Sequence, residues 1–444
     1  MAKVLLINPM FQFDSNRDPW IPIGLITLGT VAKDKGNEVI ILDRDIEKSD
    51  EKLLSIIKSF NPDIVGVQSY IGKTLLDLIH ICNIVKENSN AITVVGGAMA
   101  TVKPEPFFDH NNIDYVVRGE GELVFLEMCK LVDINKGDFS RLFNVNNNPM
   151  RPFINLNDYP IPDYSLIEDL KKYPLVSFIT SRGCPGKCTF CYNDYYYGKL
   201  GKKCLRMYNT DNTISMITDV IDKYKIKDFV IVDDNFANKS QRSFDVLNAI
   251  SKYNVLFQCE LRTDNAFDEV IKSLKKAGCW SVLFGIESGS QRILDFIQKG
   301  TTVEQNAQAI LKCREHGVYS DASCMLGLPS ETKEEMNETV DFLKKYKPDS
   351  ITANKFTPYP GTNIFEYCLK EGLLTDPKTI EEYSNFEINN ENLNVSYIPT
   401  DMLLETINQL HKKSILTDMK KTIRMLKTGH FKHFFIKTMR RFEK

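Results

Sequence analysis

The 444-residue sequence is short of several things, and each absence narrows the field. It has no run of 18 or more predominantly apolar residues, so a membrane-spanning helix is not expected. Its opening stretch, "MAKVLLINPM", is expected to form a short buried strand rather than an export leader. The formal charge is only −2, so the chain as a whole has no electrostatic pull toward nucleic acid. Eleven cysteines, an odd number and mostly scattered singly, do not suit a disulfide framework. Together with the missing leader they point to a reducing, cytoplasmic setting. The "GEGE" at 119–122 is not a dinucleotide fingerprint: a third glycine is absent, and the acidic residues would repel a pyrophosphate.

What is present is a long α/β pattern. Residues 1–135 alternate apolar runs, "KVLLIN" (3–8), "EVIILD" (38–43), "DIVGVQS" (63–69), "AITVVGG" (91–97) and "DYVVRG" (114–119), with helical patterns near 22–35, 50–60, 73–88 and 120–133. Pro22 suits a first helical turn and Gly36 a stop. This alternation predicts a Rossmann-like parallel sheet covered on both faces, with ligands at the carboxyl ends of the strands. Those ends carry Asn8, Ser69-Tyr70, Gly96-Gly97 and Gly119-Glu120. Residues 136–173 are polar and marked by prolines, and are expected to be a linker packing across two domains. From 174 to about 370 a second series begins, with strand candidates at 175–181, 228–234, 255–262, 280–288, 318–327 and 350–356. Six βα units are too few for an eight-fold barrel, so an open partial barrel is predicted. Residues 371–444 are expected to be a helical region ending in a basic tail.

The chemistry concentrates in "TSRGCPGKCTFCYNDYYYGKLG" (180–201), where Cys184, Cys188 and Cys191 fall within eight positions. Structural zinc prefers four closed ligands, and no second thiol pair follows. A Cys-x-x-Cys redox pair from Cys188 and Cys191 would leave Cys184 unexplained. A four-iron, four-sulfur ([4Fe–4S]) cluster normally takes four thiolates; with three, one iron stays open to a substrate or cofactor.

At these residues the chain resembles the radical S-adenosylmethionine (SAM) superfamily: three cysteines at this spacing, Phe190 before the last, directly after the first strand of a partial barrel. The resemblance implies that the three thiolates hold the cluster, that the open iron binds SAM, and that reductive cleavage gives methionine and a 5′-deoxyadenosyl radical. It also implies SAM contacts at successive strand ends. These are Asp233 and Asp234 of "VDDNF", Glu260 and Arg262 of "CELRTDN", and Glu287, Ser288 and Gly289 of "FGIESGS", with Leu326, Gly327 and Leu328 near the adenine edge. Phe190 would shield the cluster, and Tyr195, Tyr196 and Tyr197 would wall the cavity.

Residues 1–135 resemble the cobalamin-binding domain that precedes many such modules, through "LLINPM", "PIGLITLGTVAKDKGNEVIILD", "PDIVGVQS", "VVGGAMATVKPE" and "DYVVRGEGE". The implied cobalamin contacts are Asn8, Ser69, Tyr70, Gly96, Gly97, Gly119 and Glu120. Glycines 96 and 97 would let the backbone approach a bulky ligand. The Asp-x-His-x-x-Gly motif of cobalamin-dependent mutases is absent, so cobalamin would be held without a histidine beneath the cobalt, with the loop at Ser69-Tyr70-Ile71 on that side.

The resemblance implies a cobalamin-dependent radical SAM C-methyltransferase acting on an unactivated carbon of a biosynthetic intermediate or lipid. One SAM would remethylate the cobalamin and another would generate the radical. A cobalamin-associated cyclase or ring-rearranging enzyme is the alternative, and a cobalamin-binding sensor without catalysis the alternative of another class. An RNA methylthiotransferase would want a second cysteine triad near the start, where only Cys82 and Cys129 lie, so nucleic acid is not the expected partner. The electron would come from ferredoxin or flavodoxin. Residues 412–444 carry eleven Lys/Arg against Asp418 and Glu443, with apolar residues at helical spacing. Such a tail suits peripheral contact with an anionic membrane face, or packing on the protein's own surface.

Overall fold

The computed structural model describes residues 1–11, 18–134, 138–143, 145–193, 205–387 and 390–411. They fall into two compact units. The first holds Met1–Tyr173 together with Phe190–Asn212 and Pro358–Asn390; the second holds Pro174–Thr189, Thr213–Thr357 and the chain from Glu391 onward. The stretch expected to be a linker thus groups, up to Tyr173, with the first unit. The basic tail and Tyr195, Tyr196 and Tyr197 lie outside the described residues.

In the first unit, strands β1 (Lys3–Asn8), β2 (Glu38–Asp43), β3 (Ile64–Ser69), β4 (Ile92–Gly97) and β5 (Tyr115–Val116) form one parallel sheet in the order β2-β1-β3-β4-β5. Val4, Leu5, Leu6 and Ile7, all fully buried, make β1 the centre of the core, as near-continuous apolar runs require of strands covered on both faces. The helices are cut where local chemistry cuts them. Pro22 caps the helix Ile23–Asp34 from outside, one position earlier than expected, because its ring sets the entry angle. Ser49 accepts from the Lys52 amide at the start of Asp50–Phe60, and Asn61 ends that helix in the left-handed conformation.

The second unit contains β6 (Val176–Phe178), the two-residue β7 (Ser181–Arg182), β9 (Asp228–Ile231), β10 (Leu256–Leu261), β11 (Cys279–Glu287), β12 (Tyr319–Leu326) and β13 (Ser350–Lys355); the two-residue β8 (Arg206–Met207) belongs to the first unit. A six-stranded parallel sheet runs β13-β12-β11-β10-β9-β6, so each strand lies beside the next in the chain. That is the predicted partial barrel. Its inner aromatics include Phe178, Phe229 and Phe257, the last two stacked 5.2 Å apart. The first strand is shorter than the apolar run that signals it. After Phe178 the backbone turns to satisfy a buried carboxylate. Thr180 and Thr332 illustrate the two fates of threonine here: one bonds inward to the site, the other caps the helix Lys333–Tyr346 through a capping box with Glu335.

Among the described residues, no helix is long and apolar enough to cross a membrane.

Candidate functional site

In the second unit the site is built at the carboxyl ends of consecutive strands. Asp233, 1% exposed, follows β9 and accepts from the Thr180 amide at 2.5 Å, the Thr180 hydroxyl at 2.6 Å and the Ser181 hydroxyl at 2.7 Å. Burial nonetheless pushes its carboxyl up, against the hydrogen bonds of Thr180 and Ser181. Arg242 donates to the Thr180 carbonyl and hydroxyl at 3.0 and 3.2 Å, closing the network. Asp233, expected to receive a ligand's ammonium, is therefore spent on the backbone that leads into the cysteine loop. Its neighbour Asp234 and Glu260 provide the acidic surface. Glu260 is pushed up to about 7, first by burial and then by the charges of Asp234, Asp233 and Glu287.

Glu287 is held in a buried ion pair. It sits at φ +61° where the β11–β12 register slips between Gly285 and Glu287, and it pairs with Lys299 at 2.7 Å, both side chains under 10% exposed. A Cβ on Gly285 would lie 2.4 Å from the Glu287 Oε1 and 2.7 Å from Lys299 Nζ, so the ion pair folds back directly over this glycine. Such strained backbone inside a packed strand end marks a place the fold over-determines. Ser288 meets the Thr339 hydroxyl at 3.1 Å, and a Cβ on Gly289 would strike the Glu338 carbonyl at 2.7 Å. Both residues dock the strand end onto the helix Lys333–Tyr346.

The cysteine loop lies among these groups. Cys184 and Cys188 are free thiols, and both are pushed up by burial; Arg262 opposes this at both, and Lys299 opposes it at Cys188. A Cβ on Gly186 would lie 3.0 Å from Arg262 Nη1, 3.4 Å from Cys184 Sγ and 3.6 Å from Cys188 Sγ. The loop is a close cradle around this glycine. It is walled by soft donors and cations, which is the surrounding a thiolate-held cluster requires. Phe190 and Cys191, both half-buried, open the segment that groups with the first unit.

The first unit carries a cavity of about 450 Å³ lined by Phe11, Tyr70, Ile71, Met99, Tyr192, Tyr359 and Phe386, among others. It opens at the carboxyl ends of β1, β3 and β4, around the point where the strand order reverses. Phe11 and Tyr70 pack 4.7 Å apart, and burial pushes the Tyr70 phenol up. Lys73 and Glu387 pair at its rim at 3.2 Å. Tyr70 lines the cavity. The other predicted contacts divide. Ser69 is doubly used, donating to the Gly96 carbonyl and accepting from the Ala100 amide at 2.8 and 2.9 Å. Gly97 has φ +103°, and its Cβ would lie 2.8 Å from the Ser69 carbonyl, whereas a Cβ on Gly96 meets only ordinary contacts. Gly119, at φ +75°, donates its amide to Thr101. Glu120 is bidentate with Arg206, at 2.9 and 2.7 Å, and so ties two segments of the unit together. Asn8 donates to Asp43 at 2.8 Å and leaves its buried Oδ1 without a partner, as does Gln68 its Oε1. Two unmet acceptors on the adjacent strands β1 and β3 suit a ligand with amide N–H groups, such as cobalamin. Neither His80, which pairs with Asp50 at 2.8 Å, nor His110 lines the cavity.

Lys299, Gly285 and Arg242 escaped sequence reasoning. Lys299 follows a short helix, not a strand, and only the glycine two positions before Glu287 hints that something bulky folds back there.

Comparison with known proteins agrees with this geometry. Residues 178–343 match the model of the radical SAM superfamily, and residues 15–128 that of the B12 binding domain. The chain is 35% identical over 399 residues to an uncharacterized methyltransferase of Pyrococcus horikoshii, covering 84% of each. It is 27% identical to the anaerobic magnesium-protoporphyrin IX monomethyl ester cyclase of Rubrivivax gelatinosus, covering 82% of this chain and 69% of that one. Among solved structures it superposes on the radical SAM methyltransferase TsrM of Kitasatospora setae, with cobalamin and cluster bound, at a TM-score of 0.72 and 20% identity, over 85% of this chain and 79% of that one. The chain belongs to the radical SAM enzymes that carry an amino-terminal B12-binding domain.

Proposed function

We propose that the protein is a C-methyltransferase that uses SAM and cobalamin to methylate an unactivated carbon of a small molecule or lipid. The observation that supports it most is that one chain carries both a cation-walled thiol cradle and an aromatic cavity at a strand-order reversal. Bound together, the cluster, SAM and cobalamin supply a carbon-centred radical and a methyl donor. The protein supplies position. Cys184, Cys188 and Cys191 hold the cluster. The carboxylates of Asp234 and Glu260 face the positive charge of SAM, as ion pairing favours. Asp233, Glu287, Ser288 and Gly289 set the backbone on which that surface rests. Asn8 and Tyr70 orient the corrinoid, with Gly97 and Gly119 giving it close backbone. The aromatic walls exclude water from a reactive radical. Ferredoxin or flavodoxin supplies the electron, and residues 412–444 bring the chain to a membrane face when the substrate is lipid.

Anaerobically reconstituted protein, given SAM with a deuterated methyl group, cobalamin, a reductant and candidate substrates, should form 5′-deoxyadenosine and a product gaining the labelled methyl. The similarity to a cyclase favours one second reading, in which both cofactors serve ring formation. A product formed with 5′-deoxyadenosine but without the label would select it, and the absence of 5′-deoxyadenosine with every substrate would sink both.

A further inference from the structure

Arg262, 9% exposed, follows β10, and one edge of its guanidinium is clamped. Nε donates to Asp264 Oδ1 at 3.1 Å, and Nη2 donates to Asp264 Oδ2 and to the Lys299 carbonyl, each at 2.9 Å. Only Nη1 remains, and it points at Cys188, 4.0 Å from Sγ, across the space that Gly186 leaves open. A guanidinium is planar, so a clamp along one edge fixes the direction of the other. The two cations at the loop also differ in how fully they are offset. Lys299 pairs with Glu287, whose side chain is 9% exposed, whereas the Asp264 side chain opposite Arg262 is 30% exposed and screened by water.

From this geometry we infer that Arg262 is a positioning residue for the iron–sulfur cluster, not a ligand of SAM: it presents Nη1 to the thiolate edge at Cys188 and raises the cluster's reduction potential. The inference rests on the cysteines holding a cluster, as proposed above. A cluster held by three thiolates becomes more negative when it takes up one electron. A fixed positive charge and an N–H donor beside a sulfur stabilise the reduced form more than the oxidised one, so they make the electron easier to deliver. The SAM-facing work then falls to the carboxylates Asp234 and Glu260.

The test uses the full-length protein reconstituted with iron and sulfide under anaerobic conditions, poised with redox mediators and read by electron paramagnetic resonance. At the potential where the parent cluster is half reduced, R262Q should show a reduced-to-oxidised ratio about tenfold lower, which for one electron is 59 mV. SAM affinity, measured by equilibrium dialysis, should stay within twofold of the parent. R262K, which keeps the charge and loses the fork, should fall between the two, and it carries the test if R262Q does not assemble a cluster. A parent-like ratio in the variants overturns the inference, whether or not SAM binding weakens; a tenfold loss of SAM affinity at an unchanged ratio would make Arg262 a SAM ligand instead. A parent protein without stoichiometric iron and sulfide would overturn the cluster reading itself, which the variants do not address.

Discussion

Each unit is a parallel sheet that presents the carboxyl ends of its strands, yet the two sheets furnish those ends in opposite ways. In the second unit's six-stranded sheet every strand lies beside its successor within the sheet, so Asp233, Glu260 and Glu287 line up along one edge in the order in which the chain lays them down. What collects there is charge: carboxylates, Arg262, Lys299 and thiols. In the first unit the order reverses at β1, and the resulting cavity is closed by residues far apart in sequence, Phe11, Tyr70, Tyr192, Tyr359 and Phe386. What collects there is aromatic surface. A sequential sheet writes its site as a list of strand-end motifs, whereas a reversed sheet assembles its site from segments that share no local pattern.

The sharpest break between the two should come from the thiols. C188S removes one of the three thiols proposed to hold the cluster, and it should abolish iron retention and 5′-deoxyadenosine formation, a loss on the order of 1000-fold or more. Corrinoid retained by the first unit should change little. Iron, sulfide and corrinoid analysis of one purified sample reads both outcomes. Equal loss of both would erase the distinction between the sites.

Next in size is the carboxylate beneath the cysteine loop. D233N keeps the shape of Asp233 but turns one acceptor into a donor facing the Thr180 and Ser181 donors. Breaking such a buried network costs about 3 kcal/mol. Chemical denaturation should show a loss of that order, and a stability within 0.5 kcal/mol of the parent, the scale of an ordinary surface substitution, would contradict it.

A smaller effect separates adjacent glycines in the other unit. G97A must hold alanine at φ +103° with its Cβ 2.8 Å from the Ser69 carbonyl, and should cost about 2 kcal/mol. G96A meets nothing nearer than 3.6 Å and should cost under about 1 kcal/mol. Equal effects would mean that the turn after β4 relaxes.

These cases also show what the sequence could reveal. Among the described residues the sheet strands and the longer helices between them were legible, because buried parallel strands are unbroken apolar runs and capping residues punctuate the helices. The cysteine triad stood out by its spacing, and its reading as a cluster site came from the family resemblance. The tasks of individual strand-end residues were not. Glu120 and Glu287 look like ligand-facing acids in one dimension; in three they are paired with Arg206 and Lys299, cations 86 and 12 residues away. Nor could any local pattern announce that Pro358–Asn390 returns to the first unit and supplies Tyr359 and Phe386 to its cavity. Burial and pairing are properties of the packed chain, and a motif records only residue type.

The smallest effect concerns pH. Burial and neighbouring carboxylates raise Glu260 from an ordinary 4.5 to about 7. The folded protein therefore holds this proton more tightly than the unfolded chain. The stabilisation this contributes is fully present below about 4.5 and is lost as pH rises through 7. Binding of a cation runs the other way, since the carboxylate must be ionised to attract it. SAM affinity should rise roughly tenfold between pH 6 and 8, the worth of about 1.4 kcal/mol. E260Q should flatten that rise while leaving iron content intact. Corrinoid binding in the first unit should stay level over the same range, because buried Tyr70 keeps its proton throughout. Dialysis of both ligands across the pH series decides it: a rise shared by both would place the titrating group outside the acidic strand ends, and a rise that survives E260Q would assign it to another carboxylate.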